Sequence, residues 1–307
     1  MRRLIFSNLI LLTIMISCQK DINVNIPPFE QKLVANCWFT GDGKWYMKVT
    51  KTRNLLDKSP IEIVSNAEVK IYEGETLIEI LPYLSNGIYG RSNGYCAKVG
   101  KTYIMTVSSP GYPVLKATET LLESPDVNDI KLDTINVVTS KNLVGHYATI
   151  FLNDNPNTID FYNILVYRNH ITPIETTINN IRYNPGDTVF DDLVHFHVNE
   201  LIDKQYCHHS SWLVKDIFLS NSSTPTQLLI DHNSFENTIS FRFEINSITE
   251  AYFKYGSSLG SYISGGLVEL TGVAISFTEP MQIKSNVENG YGVFASYNGY
   301  EKVIQIE

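Results

Sequence analysis

The chain has 307 residues, of which 18% are charged and 43% hydrophobic, so it is long enough for two ordinary domains or one large β-domain and too apolar for a disordered one. Its formal net charge of -8 is spread without long runs of one sign, which argues against nucleic acid as a partner. Eighteen tyrosines, fourteen phenylalanines and many Val, Ile and Thr favour strands over helices.

At the start of the chain, Arg2 and Arg3 precede an apolar run, Leu4 to Ile16, that is too short to span a bilayer and is closed by Ser17-Cys18. This pattern predicts a secretory signal peptide over residues 1–17. Its end resembles a bacterial lipobox, which implies cleavage before Cys18 and acylation of that cysteine with palmitate-like fatty acid. An uncleaved anchor helix and a plain secretory peptide are the alternatives. Gln19, Lys20 and Asp21 resemble the short export signal that sends Bacteroidota lipoproteins to the outer face of the outer membrane. Residues 18–30 then read as a lipidated tether with a Pro27-Pro28 pair, reaching about 30 to 40 Å at about 3.3 Å per residue.

Residues 31–122 read as an immunoglobulin-like or transthyretin-like β-sandwich. Lys32 to Phe39 and Trp45 to Thr50 flank Gly41-Asp42-Gly43, the signature of a hairpin. Val69 and Ile71 alternate with Glu68 and Lys70, the two-residue period of a half-buried strand. Strands are also expected at Thr76 to Leu81, at Asn86 to Tyr89 and at Gly100 to Val107. Gly100 followed by Tyr103 resembles the tyrosine corner of immunoglobulin-like sandwiches, in which the phenol ties down a loop.

The pattern loosens over residues 123–141, read as a linker or crossover, and residues 142–307 read as a second β-rich domain. Tyr147 to Leu152 and Ile159 to Tyr167 are expected to form another hairpin about Asn153 to Asn157. Further strands are expected at Phe190 to Val198, Ser211 to Leu219, Gln227 to Ile230, Thr238 to Ile245, Val268 to Phe277, Gly292 to Tyr297 and Val303 to Ile306. Ile248, Tyr252, Tyr255, Leu259 and Tyr262 recur at helical spacing, and Ser247 to Glu250 reads as a capping box, so one short aromatic helix is expected. Near the end, Asn289-Gly290 suits a tight turn and Gly292 the close approach of another backbone.

Three cysteines follow Cys18. Cys37 and Cys96 form a candidate disulfide that leaves Cys207 alone, with three buried thiols as the alternative. The richest metal-type cluster is His195, His197, Cys207 and His208, joined by Asp191 or Asp192 if the strands return as a hairpin; it lacks any established zinc spacing, and no metal or other cofactor is expected. Thr134 and Thr188 lie in Asp-Thr-Ile and Asp-Thr-Val triplets that resemble the O-glycosylation acceptor of Bacteroidota. Nucleophile elbows, phosphate loops and dinucleotide fingerprints are absent from the sequence, so it carries no catalytic signature. Trp38, Trp45 and Trp212 would serve a sugar site if exposed and a core if buried.

Three blocks carry a family resemblance: Ser65 to Glu73, Gly100 to Tyr103 with Ser109-Pro110-Gly111-Tyr112, and Ser285 to Ala295. They resemble blocks of the Bacteroidota lipoproteins called the domain of unknown function 4249 family, across nearly the whole mature chain. The resemblance implies a mainly β, lipid-anchored protein of the outer membrane, facing outside and often encoded beside TonB-dependent receptors of the SusC type. On that basis the expected role is non-catalytic, an accessory binding protein of such a transporter. The alternatives are a structural or adhesive fimbrillin-like lipoprotein and a metal-dependent envelope enzyme.

Overall fold

Alternation of apolar and polar residues sets β1 (Leu33–Phe39) and β2 (Trp45–Lys51). Leu33, Ala35, Cys37 and Phe39 are buried with Trp45, Met47 and Val49, while Trp38, Tyr46 and Lys48 are exposed on the opposite face. The computed structural model describes residues 29–54, 57–91, 94–133, 137–138, 144–153, 155, 157–178, 181–194, 196–197, 207–208, 211–216, 225–263, 267–270, 273–276 and 282–306. Residues Lys32–Glu307 form one compact unit.

The first half continues with β3 (Glu68–Glu73), β4 (Thr76–Leu81), β5 (Tyr83–Ser85), β6 (Ile88–Arg91), β7 (Thr102–Ser108) and β8 (Leu115–Thr120). β9 (Val127–Leu132) and β10 (Val137–Val138) follow within the segment read from sequence as a linker. Next come β11 (Val144–Leu152), β12 (Phe161–Ile171), β13 (Thr176–Ile178), β14 (Ile181–Tyr183), β15 (Thr188–Leu193), β16 (Phe196–His197), β17 (Cys207–His208), β18 (Ser211–Lys215), β19 (Thr226–Asp231) and β20 (Thr238–Ile248). The helix α1 (Glu250–Ile263), β21 (Leu267–Leu270), β22 (Val273–Ser276) and β23 (Tyr291–Gln305) complete the order.

The fold is mainly β. One ten-stranded sheet, in the order β17-β18-β12-β20-β23-β1-β2-β6-β5 with β15 beside β12, forms the wall of two sandwiches. The four-stranded sheet β4-β3-β7-β8 closes one, and a five-stranded sheet, β10-β11-β19-β16 with β9 beside β11, closes the other. The first core joins Phe39, Trp45 and Tyr89 to Ile71, Tyr103 and Leu115. In the second, Ile164, Trp212 and Phe243 meet Ile130, Ala148 and Leu228.

β23 belongs to both sandwiches. Tyr291 to Ser296 pairs in parallel with Val34 to Phe39, and Tyr297 to Gln305 pairs antiparallel with Ile248 to Ser240. Phe294 accordingly lies in the first core, while Tyr300 and Ile304 pack against the second. The separate strands expected at Gly292 to Tyr297 and Val303 to Ile306 are one: the ladder to β20 runs unbroken through Asn298 and Gly299. Between the cores the inward side chains of β23, Ser296 and Asn298, are polar. Ser296 donates to the carbonyl of Thr120 at 2.6 Å, Asn298 to that of Leu122 at 3.0 Å and Lys302 to that of Ile130 at 2.8 Å, so the segment from β8 to β9 is strapped to β23 along the waist.

Two local expectations are corrected. β11 and β12 do not form a hairpin: β11 pairs with β9, β10 and β19, and β12 pairs with β15, β18 and β20. The two strands therefore lie in the two different sheets of the second sandwich. The helix is capped by Thr249, not Ser247, because Ser247 is still in the ladder opposite Asn298; the Thr249 hydroxyl accepts from the Tyr252 N–H at 3.5 Å and its carbonyl from Phe253 at 3.0 Å.

Candidate functional site

The face of the ten-stranded sheet that turns away from both cores carries α1 and an aromatic ledge. Gly256 brings the helix down onto Leu213 of β18, where an added Cβ would lie 2.6 Å from Leu213 Cδ1. Phe253 packs on Phe161 with ring centroids 4.8 Å apart, and Tyr252 meets Tyr297 at 6.3 Å. On the open flank of the helix, Tyr255 contacts Trp38 edge-on at 5.8 Å. Trp38 stands opposite Tyr46 in the β1–β2 register, and Tyr46 stands opposite Gly90. Burial raises the phenol pKa of Tyr252, Tyr255 and Tyr297, so all three are neutral hydrogen-bonding groups at physiological pH. Further along the same face Arg242 stacks over Tyr167 at 4.3 Å and is ion-paired to Asp191 at 2.7 Å and to Glu244.

A cleft of about 390 Å³ opens at the waist, walled by Leu122, Phe161 and Ile248 and bordered by Glu119, Lys215, Thr249 and Glu250. Glu119 accepts from the Thr120 N–H at 3.0 Å. Its carboxyl pKa is pushed up, first by burial and in smaller part by the nearby Glu250 carboxylate, against hydrogen bonds from Thr120 and Thr249 that favour the charged form. The cleft thus offers apolar walls and polar groups, and neither histidine nor cysteine lines it.

The family model for a domain of unknown function, DUF4249, matches residues 19–302. The chain belongs to that family. No curated protein matches it.

The sequence-expected residues fall into three groups in this DUF4249 protein. Cys18, Gln19, Lys20 and Asp21, as well as Thr134 and His195, lie outside the described residues. Thr188 opens β15, half-buried and paired with Ile171. Cys37 and Cys96 do not bridge. Both are free thiols: Cys37 is fully buried on the core side of β1, where burial pushes its pKa up to about 12, and Cys96 is exposed in the loop beside Gly43.

The histidine cluster is not assembled by a hairpin. β16, with His197, pairs with β19 in the five-stranded sheet, whereas β17, with Cys207 and His208, pairs with β18 at the edge of the ten-stranded sheet. The carboxylates considered with them are taken by arginines, Asp191 by Arg242 and Asp192 by Arg168 at 2.8 Å. Among the described residues no group of three or more His, Cys, Asp or Glu is placed to hold a metal ion.

Tyr103 is placed as its spacing predicts, its phenol accepting from the Lys98 N–H at 2.7 Å. Asn286, in the closing block, was not singled out for a role of its own. Its side-chain amide brackets Phe294, donating to the carbonyl at 2.7 Å and accepting from the N–H at 3.0 Å, and so substitutes for a neighbouring strand. Of the three tryptophans, Trp45 and Trp212 are core residues and Trp38 alone is exposed.

Proposed function

We propose that this DUF4249 protein is a lipid-anchored lipoprotein of the outer membrane, facing outside, that works by binding and not by catalysis, as an accessory subunit of a TonB-dependent, SusC-type transporter. The observation that carries this reading is the apolar run Leu4 to Ile16 closing on Ser17-Cys18, with Lys20 and Asp21 just beyond. Family membership supports it, in that the resemblance implies genes often encoded beside those of such transporters. The aromatic outer face adds a surface suited to holding a ligand.

The experiment is metabolic labelling with a clickable palmitate analogue in a bacterial host that exports the chain, followed by purification from detergent-solubilised outer membranes. Label is expected in the parent and lost in Cys18→Ala, with a large barrel receptor copurifying. A full-length chain that takes up no label would overturn the anchoring, and labelled protein that purifies without a barrel would overturn the partnership.

A fimbrillin-like role is disfavoured by the place of β1. It is hydrogen-bonded on both sides, to β2 and to β23, so removing a leader strand there would split the main sheet instead of opening a groove for the next subunit.

A further inference from the structure

We propose that the aromatic ledge beside α1 is a carbohydrate-binding site, in which neutral sugar rings lie against Trp38 and Tyr46 with Tyr255 as the side wall. This names the ligand class for the binding role proposed above and rests on it.

Exposure, neighbourhood and unspent donors converge on this face. Trp38 is 38% exposed and Tyr46 43% exposed, whereas Trp45 and Trp212 are each at 1%. Cross-strand partners stand about 5 Å apart, close to the length of one pyranose unit, so consecutive sugars of a chain can meet successive rings. Tyr46 rests on Gly90, where an added Cβ would come within 2.6 Å of Tyr46 Cδ1. Any side chain at position 90 would push the ring off the sheet.

The indole N–H of Trp38 and the phenols of Tyr46, Tyr255 and Tyr297 make no hydrogen bond among the described residues. The inward aromatics of the same sandwich differ. Trp45 donates to the carbonyl of Tyr95, the Tyr89 phenol joins Ala67 and Val64, and the Tyr103 phenol holds Lys98. A ring face flanked by free N–H and O–H groups matches a pyranose, which offers C–H bonds on one face and hydroxyls around its rim. A purely apolar partner would leave those donors unpaired on burial, which is costly.

Of the charges beside the ledge, Asp42 and Lys44 at the tip of the β1–β2 hairpin neutralise one another at 3.3 Å, and Lys48, exposed on the same face two residues from Tyr46, supplies N–H donors that a sugar hydroxyl can accept.

The test is titration of the purified protein with maltohexaose, cellohexaose, xylohexaose and mannohexaose, followed by tryptophan emission and by calorimetry. A saturable change is expected with at least one of them. Trp38→Ala and Tyr46→Ala, checked for unchanged circular dichroism and Tm, should each weaken binding about tenfold or more. Tyr83→Ala, a comparably exposed tyrosine on β5, should leave it unaltered. Silence with all four sugars, or equal affinity in the ledge variants and the parent, would overturn the proposal. Palmitate labelling and barrel copurification do not depend on Trp38 or Tyr46. If they succeed while the titrations are silent, only the sugar site falls; if they fail while sugar binds, only the anchored-subunit reading falls.

Discussion

Gly292 and Ala35 meet across the parallel pairing of β23 with β1 so closely that a Cβ on Gly292 would sit 2.0 Å from the carbonyl oxygen of Ala35. Gly292 also holds a φ of +122°, a conformation that side-chain-bearing residues rarely adopt. Gly292→Ala is therefore expected to cost about 3 kcal/mol or more, roughly 6 to 12 °C of Tm in a chain of this size. Thermal unfolding followed by circular dichroism measures this, and an unchanged Tm would contradict the close β1–β23 contact.

Tyr103→Phe should keep the ring contacts with Phe39 and Trp45 while depriving the Lys98 N–H of its acceptor. A loss of about 1 to 2 kcal/mol is expected, read from the urea midpoint at constant m-value. Stability equal to the parent would show that the loop does not depend on the phenol.

Glu119 sets a pH dependence whose sign follows from burial. Its folded-state pKa lies above the ordinary 4.5, so the stability it contributes is complete below the unfolded value and is lost as pH rises through the raised one. Glu119→Gln is then expected to be more stable than the parent at neutral pH, with the difference vanishing below about pH 4. Urea denaturation at both pH values decides it; a variant less stable than the parent at neutral pH would reverse the assignment.

Cys37 and Cys96 should differ in reactivity. Cys37, buried and held as the neutral thiol, is expected to resist iodoacetamide until the protein unfolds, while exposed Cys96 alkylates in the native state. Peptide mass mapping before and after denaturation tests this, and a disulfide-linked pair of peptides in unreduced protein would refute it.

Short-range chemistry was legible in the sequence. Val69 and Ile71 alternate with charged neighbours and form β3 as expected, Gly100 and Tyr103 build the corner, and the role read for Gly292 is the one it plays. Partnerships between distant segments were not legible. Nothing near Val34 indicates that its parallel partner is Tyr291, and the apolar runs on either side of Asn153 to Asn157 look the same whether they pair with each other or in separate sheets. At the ledge, Trp38 could not be told from Trp45 by composition. They became distinguishable because the alternation phase of β1 and β2 sends one outward and the other into the core.

The place of β23 also governs how the molecule can be made. Val293 and Asn36 of its partner β1 are joined across 257 residues of chain, so the contact that welds the two halves is a remote one and of a kind slow to search for. Until then each half exposes a raw sheet edge, a state prone to wrong association. A protein built this way completes its main sheet only once β23 has reached both β1 and β20, and a chain lacking β23 would leave both halves unfinished.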